Sequence, residues 1–249
     1  MSLTGAARGA SAREKLIVAL DVPTAGEARR LFDTLRGSAG MFKVGSQLFT
    51  SAGPGFVSEL VVTGARVFLD LKFHDIPNTV AAASREAVRL GVALFNVHAA
   101  GGGEMLRRAA EATGEEAARL GVTKPSLIAV TVLTSMDADA LAETGVETVS
   151  VEAQVRRLAR LADACRLDGV VASPHEIAPV REAVPRAGFL IVTPGVHPAS
   201  AAYEDQKRVL SPAEAVRAGA DFIVVGRAIL NSPDPARAAS EVVAEMEAA

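Results

Sequence analysis

The chain has 249 residues, 49% of them hydrophobic, and a formal net charge of −3. That composition excludes a disordered chain, and positive charge spread along the sequence excludes the basic footprint of a nucleic-acid binder. The single cysteine, Cys165, excludes an internal disulfide framework and a cysteine-rich metal site, and reads as an inert buried thiol on a helix stripe.

Residues 1–13 are small and polar and read as a flexible tail. No apolar stretch before Lys15 is long enough for a signal peptide, and none later for a membrane span, so the expected location is the cytoplasm. Short apolar runs then alternate with helical patterns. LIVALD (16–21) precedes a helix over 25–35, MFKVG (41–45) one over 51–62, and ARVFLDLK (65–72) one over 79–90 that Gly91 stops. VALFNVH (92–98) leads to a long alanine-rich helix ending near Leu120, and SLIAVTVL (126–133) to helices at 138–142 and 149–164. DGVVAS (168–173) precedes a helix over 174–184, and GFLIVT (188–193) precedes an irregular loop and a helix with Pro212 in its first turn. DFIVVG (221–226) and a helix over 235–246 end the series.

These runs are continuously apolar, as strands are when crossover helices cover both faces. Eight such units in one domain spanning 1–249 predict the α/β class and a closed (β/α)₈ TIM barrel. The rival, an open dinucleotide-binding sheet, needs a Gly-x-Gly-x-x-Gly turn that ALDVPTAGE lacks.

Polar residues recur where the runs end: Asp21, Lys43, Asp70, Lys72 with Asp75 just beyond, Asn96 and His98, then Thr134 and Ser135. Barrel active sites are built at this face from several strand ends. In FLDLKFHDIPNTV, Asp70 and Lys72 are two apart and share a strand face. Asn78 is expected to cap the next helix. Taken alone the segment could be an ion pair plus a cap; charges inside a barrel are costly unless paired or functional. A second cluster suits an anion: Pro194 and its glycine turn after the seventh run, then Gly226 and Arg227 after the eighth. Gln206 offers an amide from the intervening loop. The four histidines show no metal-ligand spacing, so no metal is expected.

Lys43…Asp70-x-Lys72-x-x-Asp75-Ile-Pro-Asn-Thr, with LDVP, FKVG, NVHA, TVLTS, TPGV, DQ and VVGR in barrel order, resembles the orotidine 5'-phosphate decarboxylases from Leu16 to about Ile229. The resemblance implies conversion of orotidine 5'-monophosphate to uridine 5'-monophosphate, the last step of de novo pyrimidine nucleotide synthesis, without metal or organic cofactor. It implies a catalytic tetrad of Lys43, Asp70, Lys72 and Asp75 in a homodimer, with Asp75 reaching the partner's site. It assigns Asp21, Lys43 and, across the interface, Thr79 to the ribose, Thr134 and Ser135 to the pyrimidine, and Gln206, Gly226 and Arg227 to the phosphate. His197 stands where bacterial relatives commonly carry arginine, which leaves its substrate contact open. The alternatives are a metal-dependent sugar-phosphate decarboxylase of the same superfamily and a catalytically silent phosphate-binding module. The first needs a further metal-ligating carboxylate, and the second predicts gaps in the tetrad.

Overall fold

The structure, a computed structural model, describes residue 3 and residues 9–147, 149–197 and 210–249. Eight parallel strands close into a barrel in sequence order: β1 (Leu16–Ala19), β2 (Met41–Gly45), β3 (Val67–Phe73), β4 (Leu94–His98), β5 (Ser126–Val130), β6 (Gly169–Val171), β7 (Leu190–Thr193) and β8 (Phe222–Val225). β1 pairs with β2 at Ile17↔Met41 and with β8 at Ile17↔Val224, which shuts the ring. The expected TIM barrel is the observed fold.

Alternation along each strand separates two apolar layers. Ile17, Met41, Phe68, Leu94, Ile128 and Phe222 pack inside the barrel. Leu16, Phe42, Leu69, Phe95, Leu127 and Ile223 belong to the layer shared with the helices. Both layers are buried, which is why the strands read as unbroken apolar runs. Gly169 shows how tight the interior is: a Cβ there would lie 2.2 Å from the Leu190 carbonyl oxygen, so only glycine fits.

Among the described residues the α-helices of four or more residues are α1 (Ala12–Lys15), α2 (Ala25–Leu35), α3 (Ser46–Val62), α4 (Pro77–Arg89), α5 (Gly102–Leu120), α6 (Ala138–Glu143), α7 (Val151–Ala164), α8 (Ile177–Ala183), α9 (Pro212–Ala218), α10 (Arg227–Leu230) and α11 (Pro235–Glu247). Within the stretch expected as a tail, Leu3 is buried among the inward-facing residues and Ser11 caps α1 through a capping box with Glu14. α3 starts five residues before the expected position 51 and kinks at Gly53 (φ 72), ahead of Pro54. The expected Asn78 cap is corrected. Pro77 occupies the first turn of α4, Ile76 is the cap residue with extended torsions, and the Asn78 carbonyl accepts from Arg108 at 3.3 Å. Proline suits that first position because its missing N–H would have had no helical partner. Cys165 is buried at the end of α7, its thiol 3.4 Å from the Gly103 carbonyl oxygen.

The N-terminal end of the barrel is cross-braced. Asp168 accepts the Leu127 N–H at 2.8 Å and Lys124 at 2.7 Å, tying β5 to β6. Asp221 accepts the Ile191 N–H at 2.7 Å and Arg181 at 2.5 Å, tying β7 to β8. Arg181 also donates to the carbonyls of Phe189 and Gly219.

Candidate active site

At the C-terminal end, the inward positions change from apolar to charged one step above Met41 and Phe68. Lys43 and Asp70 are the next inward residues on β2 and β3, and Asp21 lies just past β1. Their side chains form an alternating array. Lys43 Nζ donates to Asp21 Oδ1 at 2.9 Å and lies 3.3 Å from Asp70 Oδ2. Lys72 Nζ donates to Asp70 Oδ1 at 2.6 Å. Gly45 leaves room for this array, since a Cβ there would stand 3.1 Å from Lys43 Nζ and 3.3 Å from Asp21 Oδ1.

Asp70 and Lys72 meet as expected, but not on a regular strand. The β3–β4 register breaks between Leu69 and Phe73, and Lys72 sits at φ 53 in the left-handed region. That region is costly for a residue with a Cβ, about 1–2 kcal/mol. Strain of this kind persists only where surrounding contacts over-determine it. Here the contacts come from β4: Asn96 accepts the Lys72 N–H at 2.8 Å and donates to Asp70 Oδ1 at 2.7 Å.

Electrostatics follow from this packing. Burial opposes the charge on Asp70, but the fields of Lys43 and Lys72 and the hydrogen bonds from Lys72 and Asn96 outweigh it, holding the carboxyl below its ordinary range. The Lys72 side chain pairs with Asp70 and lines the cavity. Nearby, burial first, then His74 and Lys72, push the His98 imidazole down, and the two histidine rings stand 5.4 Å apart.

The array lines a cavity of about 260 Å³. Asp21, Lys43, Asp70 and Lys72 form one wall, with Thr134 at the rim. Pro194, His197, Gly226 and Arg227 line it from the β7 and β8 side, with Gly226 beside Asp21, and Gly195 at φ 75 makes the turn between Pro194 and His197. His197 is buried. Val130, Val132, Val171 and Ala172 supply an apolar side suited to a flat ring, a feature sequence reading did not single out. Val130 and Val171 continue the inward phase of β5 and β6, whereas Val132 and Ala172 lie just past those strands, where no period marks them.

Other expected site residues lie elsewhere. Asp75, Thr79 and Ser135 are exposed and do not line this cavity. The Asp75 carboxylate accepts the N–H of Ile76 at 2.6 Å, and Ile76 is itself 66% exposed. Gln206 lies outside the described residues. Among the described residues, no group of three or more His, Cys, Asp or Glu side chains is placed to hold a metal ion. None of the described helices is long and apolar enough to cross a membrane.

Comparison with known proteins adds a family to this geometry. Residues 14–242 match the model of the orotidine 5'-phosphate decarboxylase / HUMPS family. The orotidine 5'-phosphate decarboxylase of Moorella thermoacetica is 56% identical over 237 residues, covering 95% of this chain and 93% of its own. That of Geobacter sulfurreducens is 54% identical, covering 95% and 98%. Among solved structures, orotidine 5'-phosphate decarboxylase from Lactobacillus acidophilus superimposes with a TM-score of 0.82 at 34% identity, over 93% of this chain and 98% of that one.

Proposed function

The chain belongs to the orotidine 5'-phosphate decarboxylase / HUMPS family, and from that premise we propose how its own residues carry out the reaction. It is a carbon–carbon lyase that converts orotidine 5'-monophosphate to uridine 5'-monophosphate in pyrimidine nucleotide synthesis. The observation that carries the scheme is Lys72, ion-paired to Asp70 and facing a cavity whose β7 and β8 side is suited to a phosphate.

In this scheme the bond from C6 of the pyrimidine to the carboxylate breaks, CO₂ leaves, and the electron pair stays on C6. The Lys72 ammonium stabilises that pair by its field and then delivers a proton to C6. Asp70 holds Lys72 in place and stands beside the departing carboxylate. Lys43 and Asp21 bind the ribose hydroxyls. Thr134 and Ser135 contact the pyrimidine, Ser135 by movement of its loop onto the ligand. Gly226, Arg227 and Gln206 grip the phosphate, with Pro194 and His197 closing that end. Phosphate binding, remote from C6, supplies energy for assembling the closed site. No metal or organic cofactor enters the scheme. Loss of the absorbance of orotidine 5'-monophosphate on mixing with chelator-treated protein is the expected result. Activity that disappears on chelation and returns with Mg²⁺ or Zn²⁺ would reject it.

The active enzyme in this reading is a cytoplasmic homodimer with shared sites. Support comes from Asp75 and Thr79, both exposed and outside their own chain's cavity, and from the exposed apolar Ile76 beside them. A two-fold axis would place each chain's Asp75 and Thr79 in the partner's site reciprocally. Mixing Lys72→Ala with Asp75→Ala under subunit exchange then builds dimers with one intact site. Activity recovers to about a quarter of the parental value on random pairing. No recovery from mixed dimers verified by mass spectrometry would mean that each chain uses its own Asp75.

A further inference from the structure

Asn96 has no part in the scheme above, yet it touches both halves of the central ion pair. It is 1% exposed and lies on the inward face of β4, in phase with Leu94 below and His98 above. Its Oδ1 accepts the Lys72 backbone N–H at 2.8 Å, and its Nδ2 donates to Asp70 Oδ1 at 2.7 Å. Chemistry settles which way the amide faces. A backbone N–H only donates and an ionised carboxylate only accepts, so a flipped amide would break both bonds.

The backbone explains why a side chain is needed here. β3 and β4 pair at Leu69↔Phe95 and next at Phe73↔Val97, so three residues on β3 lie opposite the single Asn96 on β4. Lys72 falls inside that bulge at φ 53, with its N–H turned away from the regular ladder. The Asn96 carbonyl replaces the missing strand partner. The same amide then fixes the Asp70 carboxylate, whose Oδ1 receives Asn96 and Lys72 together while Oδ2 faces Lys43 at 3.3 Å.

We infer that Asn96 is a positioning residue for the decarboxylation: one amide holds the left-handed backbone of Lys72 and the carboxylate plane of Asp70, so that β4 sets where the ammonium stands. This builds on the decarboxylase reading and goes beyond it. Asn96 itself touches no reacting atom in the scheme; it acts through Lys72 and Asp70.

The role separates from simple core filling by substitution. Asn96→Leu keeps the size and burial and removes both bonds. Its kcat should fall about 100-fold, the scale of a misplaced catalytic group. Its Kd for uridine 5'-monophosphate should stay within about threefold, because the binding contacts lie elsewhere. Asn96→Asp gives a second reading that does not depend on the first variant folding. When neutral, the introduced carboxyl donates to Asp70 and accepts the Lys72 N–H, as the amide does. When ionised, it faces Asp70 at about the 2.7 Å of the present bond, and two carboxylates that close do not both ionise. The kcat of Asn96→Asp, divided by the parental value, should therefore rise as pH is lowered. The other titratable groups near this point are Lys72 on β3, Lys43 on β2, His98 on β4 and His74 beside it. All are shared with the parent and largely divide out; β5 pairs Ile128 with Asn96 and brings no charge. Parental kcat in Asn96→Leu would overturn the inference. So would kcat and nucleotide binding lost together, or a pH-independent ratio for Asn96→Asp.

Discussion

At the N-terminal end of the barrel, Asp168 and Asp221 are each shared between one cation and one backbone N–H of the neighbouring strand. At the C-terminal end, Asp70 is contested by two ammonium groups and a side-chain amide, and takes no backbone N–H from a strand ladder. The residue types are the same and the consequences differ. A carboxylate bonded to a neighbouring backbone braces two strands. A carboxylate surrounded by side chains holds cations in place, and leaves one of them, Lys72, one-third exposed toward the cavity. Backbone strain does not divide the two ends: Lys72 is left-handed at φ 53 within the site, and Arg166 at φ 62 just before the Asp168 brace. What distinguishes structural from chemical charge in this barrel is therefore the partner, backbone or side chain, and not burial alone.

The largest effect that would sharpen this contrast is expected from Lys72→Ala. Turnover should fall by at least about 10⁴-fold, combining the lost field and the lost proton donor. Melting temperature should scarcely move, because no strand is tied through this side chain. Turnover within about tenfold of the parent would remove Lys72 from its assigned role and dissolve the contrast.

Asp221→Ala should show the reverse pattern. It leaves the Ile191 N–H and the Arg181 guanidinium without their shared acceptor. A loss of about 1–3 kcal/mol in unfolding free energy is expected for such an orphaned, partly buried pair. Steady-state kcat per folded molecule should be unchanged. A tenfold fall in kcat at a temperature where the variant is folded would mean that the brace also shapes the site.

The smallest effect concerns pH. Glu116 on α5 accepts from Arg119 and Arg89, whose hydrogen bonds draw its carboxyl down from 4.5 to about 2. A depressed folded-state value means stabilisation that is full above pH 4.5 and lost as pH falls toward 2. Glu116→Gln should lower the melting temperature slightly at neutral pH, and the gap between the two proteins should close across that acid window. The arginines are largely solvated, so the shift should be small and weaken with salt. A gap that persists at pH 2 would assign the effect to packing.

Much of the site was legible because its residues fall at the ends of apolar runs. Asp21, Lys43, Asp70, Lys72, Thr134, Pro194, His197, Gly226 and Arg227 converge on one cavity. Asn96 was visible as a strand-end polar residue, but its partners were not, since they depend on a register break that no local pattern announces. The Asn78 cap was misjudged because the helix already starts at Pro77, which places Asn78 inside the first turn and not at its cap. Asp168 and Asp221 open the runs DGVVAS and DFIVVG, where nothing local marks them as braces; that role needs the neighbouring strand in place.

By itself, the sequence determined the eight-fold alternation, the closed barrel and the chemical types gathered at its C-terminal end. Continuous apolar runs and glycine, proline and capping signals act locally, so they survive in a one-dimensional reading. Tertiary structure alone decided the bulge that turns Lys72 left-handed, the amide that bridges it to Asp70, and which exposed residues stand outside their own chain's cavity. Those outcomes depend on how one strand's register meets the next, and that is settled only when the ring closes.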